Sequence, residues 1–428
     1  MNKKTELLAP AGSLAMLDTA LAFGANAIYA GQPRYSLRVR NNDFGDLAVL
    51  KSGIDRVHAA GGRFYLVSNI YPHGAKLKTY LRDMAPVIEL KPDALIMSDP
   101  GLMMMVREAW PEQEIHLSVQ ANTVNAAAVQ FWARNGVSRV ILSRELSLEE
   151  IADIRQACPD TELEVFIHGA LCIAYSGRCL LSGYMNHRDP NQGTCTNSCR
   201  WDFKVHEGRT EPGGDVYLLE ERERRAGSYN VIEEDEHGTY ILNSKDLRAI
   251  EHVQRLVEIG IDSLKIEGRT KSPYYVARTC QAYRQAIDAA LAGRGLDPAL
   301  LDSLDGLANR GYTGGFFARH QEANAGRDDS EYQNYERGTS ESARSLYVGD
   351  VVAFDAVRGL AEVEVKNRFA VGDRLEIVQP QGNRVLTLEA MEHADGLAMP
   401  IAPGSGHRVW LPLPADSVGA FLARFINA

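Results

Sequence analysis

Apolar positions along the first 270 residues fall into short runs separated by helical stretches. The runs ELLAPA (6–11), AIYAG (27–31), RFYLVSNI (63–70), ALIMSD (94–99), IHLSVQA (115–121), RVILSRE (139–145), LEVFIHG (163–169) and SLKIEG (263–268) read as strands. Helical patterns such as SLAMLDTALAFGA, TYLRDMAPVIEL, AAAVQFWARNG and SLEEIADIRQAC lie between them and often close on Gly or Pro. Near-continuous apolar stretches such as LVSNI and VFI suit strands buried on both faces. Eight such strands with helical crossovers predict an α/β fold, a (β/α)8 TIM-like barrel. A doubly wound open sheet competes, but no Gly-x-Gly-x-x-Gly follows the first strand.

The rhythm breaks after the seventh run. A cysteine loop (170–200) and a polar insertion (202–238), expected as a hairpin or flap, precede TYILNSKDLRAIEHVQRLVEIG (239–260). That segment reads as a strand leading into an amphipathic helix, with Asn243 or Ser244 as cap. Beyond the helix YYVARTCQAYRQAIDAALAG a polar run ends the barrel pattern. The runs YVGDVVAFD, AEVEVKN, DRLEIVQP, RVLTLEAM and HRVWLPL then alternate around Gly and Asn turns, which predicts a small antiparallel β-barrel. The expected division is a barrel domain over 1–330, a linker over 331–345 and a small β-barrel domain over 346–428.

Composition, 45% hydrophobic and 24% charged, is that of an ordinary globular chain. The start MNKKTELLAPAG resembles a secretory leader, yet Glu6, Pro10, Gly12 and Asp18 interrupt its apolar stretch. No run reaches the about 18 apolar residues of a membrane helix, so a cytoplasmic protein without membrane contact is expected. In a reducing compartment, six cysteines favour metal or reactive chemistry over disulfides. A net charge of -10 speaks against a generic nucleic-acid coat, though not against a local basic footprint.

Four of the six cysteines occupy Cys172-x6-Cys179-x15-Cys195-x3-Cys199. Zinc knuckles favour Cys-x2–4-Cys at both ends, and only the second pair conforms. Four thiolates are what a cubane iron-sulfur cluster requires, so spacing leaves a cluster, zinc, a reactive thiol and no metal all open. Position favours a metal, because Cys172 follows the seventh strand on the face where barrel enzymes keep their sites. Arg178, Arg188 and Arg200 flank the thiols and would offset their charge, whereas Cys280 reads as buried core and Cys158 has no assigned role.

Further candidates follow from pattern. In KIEGR, strand alternation puts Lys265 and Glu267 on one inward face beside Arg269, either as an ion pair or as reactive groups. Asn69, Ser118 and Gln120 are polar positions in otherwise apolar strands. The loop QPRYSLRVRNN interleaves Arg34, Arg38 and Arg40 with Tyr35, a mixture that holds phosphates and stacks a splayed base. In the last module Lys366, Arg368 and Arg374 are candidates for added phosphate contacts.

The string EVFIHGALCIAYSGRCLLS, with ELLAPAG, ANAIYAG, HLSVQAN, ILNSKDL, SLKIEGRTKSPYYVA and NRGYTGGF, resembles the collagenase-like peptidases, peptidase family 32, over nearly the whole chain. SGYMNHRDPNQGTCTNSCRW and DEHGTYILNSKDLRAI bring it nearest to that family's bacterial tRNA-hydroxylating branch. The resemblance implies an iron-sulfur enzyme that hydroxylates the wobble uridine of tRNA to 5-hydroxyuridine, dependent on prephenate and independent of molecular oxygen. It implies a 4Fe-4S cluster on Cys172, Cys179, Cys195 and Cys199, and as partners the tRNA anticodon stem-loop, prephenate and the iron-sulfur assembly machinery. The catalytic candidates are then Glu267, Lys265 and His168, and the substrate-binding candidates Arg269, Arg178, Asn69, Gln120, Arg34, Arg38 and Arg40. Peptidase chemistry is the alternative, although the chain has no Gly-x-Ser-x-Gly elbow or His-Glu-x-x-His helix, and a cluster would leave none of the four thiols as nucleophile.

Overall fold

A computed structural model describes residues 5–31, 34–37, 42–171, 203–211, 214–221, 229–234, 245–309, 311–318, 344–393 and 395–426, with backbone alone between 203 and 234. Strands β1 (Glu6–Pro10), β2 (Ala27–Gly31), β3 (Arg63–Ser68), β4 (Ala94–Met97), β5 (Glu114–Leu117), β6 (Arg139–Ile141) and β7 (Glu162–Ala170) pair in sequence, each parallel to the next. After the strands β8 (Phe203–Glu211), β9 (Gly214–Glu221), β10 (Tyr229–Glu234) and β11 (Asp246–Arg248) comes β12 (Ser263–Ile266). Strand β12 pairs in parallel with both β1 and β7, which closes an eight-stranded barrel and rules out the open sheet.

Local chemistry fixes where each helix begins after its strand. Ser13, Asp46, Asp99, Asn125, Ser147 and Ser272 each accept a backbone N–H in the first turn of the following helix. Pro100 and Pro273 open two of these helices, where a missing N–H costs nothing. Several strands stop short of their predicted runs, and for one the cause is local. Ser118 accepts from Gln120 N and starts a 3-10 turn, Val119–Ala121, closed by Asn122 in the left-handed region at φ 52°, so IHLSVQA is strand only through Leu117.

The insertion is an antiparallel meander in which β9 pairs with both β8 and β10. Strand β11 runs antiparallel to β7, outside the barrel, and leads into the helix Val253–Ile259. The proposed caps Asn243 and Ser244 lie outside the described residues, and that helix starts at His252 without a side-chain cap.

From Ser345 onward the chain forms a seven-stranded antiparallel sheet and a two-stranded ribbon around a separate apolar core that includes Val363, Phe369, Leu375 and Leu422. The helix Pro273–Leu291 ties this sheet to the barrel. Tyr274 stacks on Tyr347 with ring centroids 4.6 Å apart, Arg278 pairs with Glu376 at 2.9 Å, and Gln281 donates to Gln379 O at 2.7 Å.

Candidate active site

The two ends of the barrel interior differ chemically. At the amino-terminal floor, Arg139 donates to Glu6 at 2.7 Å, to Glu162 at 2.7 Å and to Glu164 at 3.2 Å. Tyr65 and Ser263 both donate to Glu6. One level higher, Lys265 pairs with Glu164 at 2.7 Å. Burial alone would raise the Glu164 carboxyl, but Lys265 and Arg139 overcome that and hold it below its usual range, so it is ionised. Burial pushes the Lys265 ammonium down against the pull of the same carboxylate.

Above this pair lies an aromatic layer. Lys265 Nζ sits 4.4 Å from the Tyr29 ring centroid and 5.3 Å from that of Phe166. Burial raises the Tyr29 hydroxyl far above ordinary phenol values, so it stays neutral and donates to Ile266 O at 2.9 Å. Two arginines reach these rings from the carboxyl end. The Arg269 guanidinium carbon is 5.7 Å from the Tyr29 centroid, and that of Arg144 is 3.9 Å from the Phe166 centroid. Arg144 also donates to Ala170 O at 2.9 Å, tethering the end of β7 two residues before Cys172. Arg269 packs beside Ser36 and Gly31, where a Cβ in place of the glycine hydrogen would collide with both side chains.

On the opposite rim, Asn69, Ser98 and Ser118 each follow the last residue of β3, β4 and β5. Gln120 Oε1 accepts from Ser98 at 3.0 Å and from Ser118 at 3.2 Å, while its buried Nε2 has no hydrogen-bond partner. Thr123 Oγ1 is likewise buried without one. Buried polar side-chain atoms are rarely left so, and these two, three positions apart, could accept or donate to a bound group.

Several expectations change. His168 is a wall residue rather than a catalytic one. A register shift pairs Lys265 with Phe166 but Ile266 with His168, which breaks the alternation and turns His168 toward the helix Pro273–Leu291. There it bonds the Tyr283 hydroxyl at 3.2 Å among Tyr275, Tyr283 and Tyr312, and burial, reinforced by Arg248 and Lys271, pushes its pKa down to about 3. Lys265 pairs with Glu164 and not with Glu267. Glu267 lies half-buried at the mouth, its carboxylate near enough to Tyr29 and Tyr275 to raise both hydroxyls further.

Tyr35 cannot stack a base, because it is fully buried, edge-on to Tyr80, with its hydroxyl donating to Asp83 at 2.7 Å. Arg34 is half-exposed and pairs with the same Asp83 at 2.8 Å. Asn69 Oδ1 accepts from Leu37 N and so anchors that loop rather than lining a ligand. In the last module Lys366 is paired with Glu364 and Asp350. Arg38, Arg40, Arg178 and the four clustered cysteines lie outside the described residues. Cys158 and Cys280 are buried with thiol pKa values pushed up by burial, so neither is a ready nucleophile. Arg144, Tyr29 and Phe166 were not singled out from the sequence. The signal for Arg144 was an arginine closing the apolar run RVILSRE.

Among the described residues, no group of three or more His, Cys, Asp or Glu side chains could hold a metal, and no helix is long and apolar enough to cross a membrane. The profile of peptidase family U32 matches residues 12–327, and that of the peptidase family U32 C-terminal domain matches residues 343–424. A tRNA hydroxylation protein P of Escherichia coli (strain K12) is 57% identical over 438 residues, covering 96% of this chain and 94% of its own length. Its counterpart in Haemophilus influenzae is 53% identical with the same coverage, 96% and 94%. The solved structure of the U32 peptidase Mk0906 aligns at 16% identity with a TM-score of 0.40, covering 63% of this chain and 95% of that one.

Proposed function

The chain belongs to peptidase family U32, and from that premise we propose that it is a tRNA-hydroxylating enzyme acting on the wobble uridine, with prephenate as co-substrate and a 4Fe-4S cluster as cofactor. One observation carries the reading: β7, tethered by Arg144, ends at Ala170, two positions before Cys172 in the sequence, at a barrel mouth where two arginines lie over aromatic rings. Two arginines at one barrel mouth suit a dicarboxylate, and the flat rings beside them suit its carbocycle.

Cys172, Cys179, Cys195 and Cys199 would hold the cluster. A donor set of four thiolates is right for a cubane, and a cationic mouth offsets its negative charge, whereas Cys158 and Cys280 are buried elsewhere and supply no ligand. When bound, such a cluster supplies electron transfer or Lewis acidity at the mouth.

The chain's own groups do the positioning. Arg269 and Arg144 bind the carboxylates of prephenate, and Tyr29 and Phe166 exclude water beneath it. Gln120 is locked by two serine hydroxyls so that Nε2 presents its hydrogens to a carbonyl of the base. Glu267, half-buried at the mouth, is the carboxylate placed to take a proton from a substrate bound there. Lys265, bound to Glu164, acts through Tyr29 and Phe166 as a positioning group. Peptidase chemistry fits less well, because His168 is bonded to Tyr283 and no cysteine among the described residues stands beside it. Anaerobic purification tests the cofactor: about four irons per chain and a brown protein are expected. Colourless, zinc-loaded protein of equal activity would refute it.

A further inference from the structure

The loop after β3 was read from the sequence only for Asn69. Residues 69–83 run NIYPHGAKLKTYLRD and carry His73, Lys76, Lys78 and Arg82 against a single acid, Asp83. The segment follows the carboxyl end of β3 and forms two short helices, Gly74–Leu77 and Tyr80–Ile88, so it stands at the rim of the mouth. Lys78 and His73 are exposed, and the Arg82 side chain is 73% exposed.

Asp83 joins this segment to the loop after β2. One of its oxygens, Oδ2, takes Arg34 at 2.8 Å and the Tyr35 hydroxyl at 2.7 Å, while Oδ1 takes Arg82 at 3.0 Å. One carboxylate thus holds two guanidinium groups at the surface. In a chain whose net charge is -10, cations gathered at the mouth are segregated rather than average.

We propose that Arg34 and Arg82, held together by Asp83, and the exposed Lys78 on the same segment form a phosphate-binding rim that grips the RNA backbone beside the base entering the barrel. The proposal rests on the tRNA-modifying reading above and adds the surface that would hold the stem. Tyr35, buried beneath, is a strut for this rim. Backbone phosphates suit such a surface because half-exposed cations bind them without sequence readout and release counterions.

The test is tRNA affinity of the full-length, cluster-loaded protein between 50 and 200 mM salt, for the natural chain, a Lys78→Gln/Arg82→Gln double variant and Arg294→Gln. Arg294 is exposed just past the helix Pro273–Leu291, which runs back toward the opposite end of the barrel. Loss of two phosphate contacts should lower the slope of log affinity against log salt by about 1.4 to 1.8 in the double variant. Arg294→Gln should leave the slope unchanged. An unchanged slope in the double variant, or an equal drop in Arg294→Gln, overturns the rim. Absence of salt-dependent tRNA binding by the natural chain would overturn the tRNA reading itself, so the two failures are distinct.

Discussion

The floor and the mouth of one barrel use the same residue types for opposite ends. At the floor, Arg139 meets three carboxylates, and Tyr65 and Ser263 complete the coordination of Glu6. At the mouth, Arg269 and Arg144 lie over aromatic faces, Glu267 is half-buried, and Gln120 Nε2 and Thr123 Oγ1 are buried without partners. The charges at the floor are compensated within the protein, although the buried His116 Nδ1 beside Tyr65 has no partner there, whereas the mouth holds an unpartnered amide and hydroxyl among cations over aromatic rings. This matches the general division of such barrels, in which the amino-terminal end serves stability and the carboxyl end chemistry.

The comparison breaks most readily at the floor. Arg139→Met removes the cation shared by Glu6, Glu162 and the fully buried Glu164, leaving Glu164 to Lys265 alone, and should cost about 3 kcal/mol in denaturant unfolding. The protein that remains folded should keep its KM for prephenate. At the mouth the expected pattern reverses. Arg269→Gln should lower kcat/KM for prephenate about 100-fold, roughly 2.7 kcal/mol of transition-state binding. Its unfolding midpoint should barely move, and a stability loss as large as that of Arg139→Met would erase the distinction.

His168 gives a smaller effect with a defined pH window. Its folded pKa of about 3 lies below the ordinary histidine value of about 6.5, so the unfolded chain binds the extra proton between those limits. The stability due to its neutral form is therefore fully present above about pH 6.5 and is lost as pH falls toward 3. Glu164, whose folded pKa is lowered, loses its contribution only below the usual carboxylate range. His168→Gln should flatten the stability curve between about pH 6 and 4, and an unchanged acid limb would show that another group titrates there. The smallest effect belongs to Thr123→Val. Exchanging an unpartnered buried hydroxyl for a methyl should leave stability within about 0.5 kcal/mol or raise it slightly, while modification slows if the base uses that hydroxyl.

Much of the barrel was legible because period and run length report burial directly. Six of the eight barrel strands fall within the apolar runs, β5 overruns its run by one residue at one end and β7 by one at each, and AIYAG coincides with β2. The polar insertion was legible only as a hairpin or flap, and its described residues form a three-stranded antiparallel meander. What escaped was long-range pairing. Lys265 finds Glu164 across 101 positions of sequence rather than Glu267 at two, and no local pattern encodes that choice. The register shift that turns His168 outward is equally silent, since a bulge changes a side chain's direction without changing composition. Tyr35 lay in a loop of arginines yet is core, because Tyr80 and Asp83, far along the chain, enclose it.

The central claim is the proposed one, that this chain hydroxylates tRNA and needs Cys172, Cys179, Cys195 and Cys199 to do so. Mass spectrometry of tRNA nucleosides from a strain lacking this chain tests it most directly, with complementation by the natural protein or by Cys195→Ala. The account predicts that the natural chain restores 5-hydroxyuridine and its derivatives, and that Cys195→Ala, though folded, does not. Full modification by Cys195→Ala would contradict it.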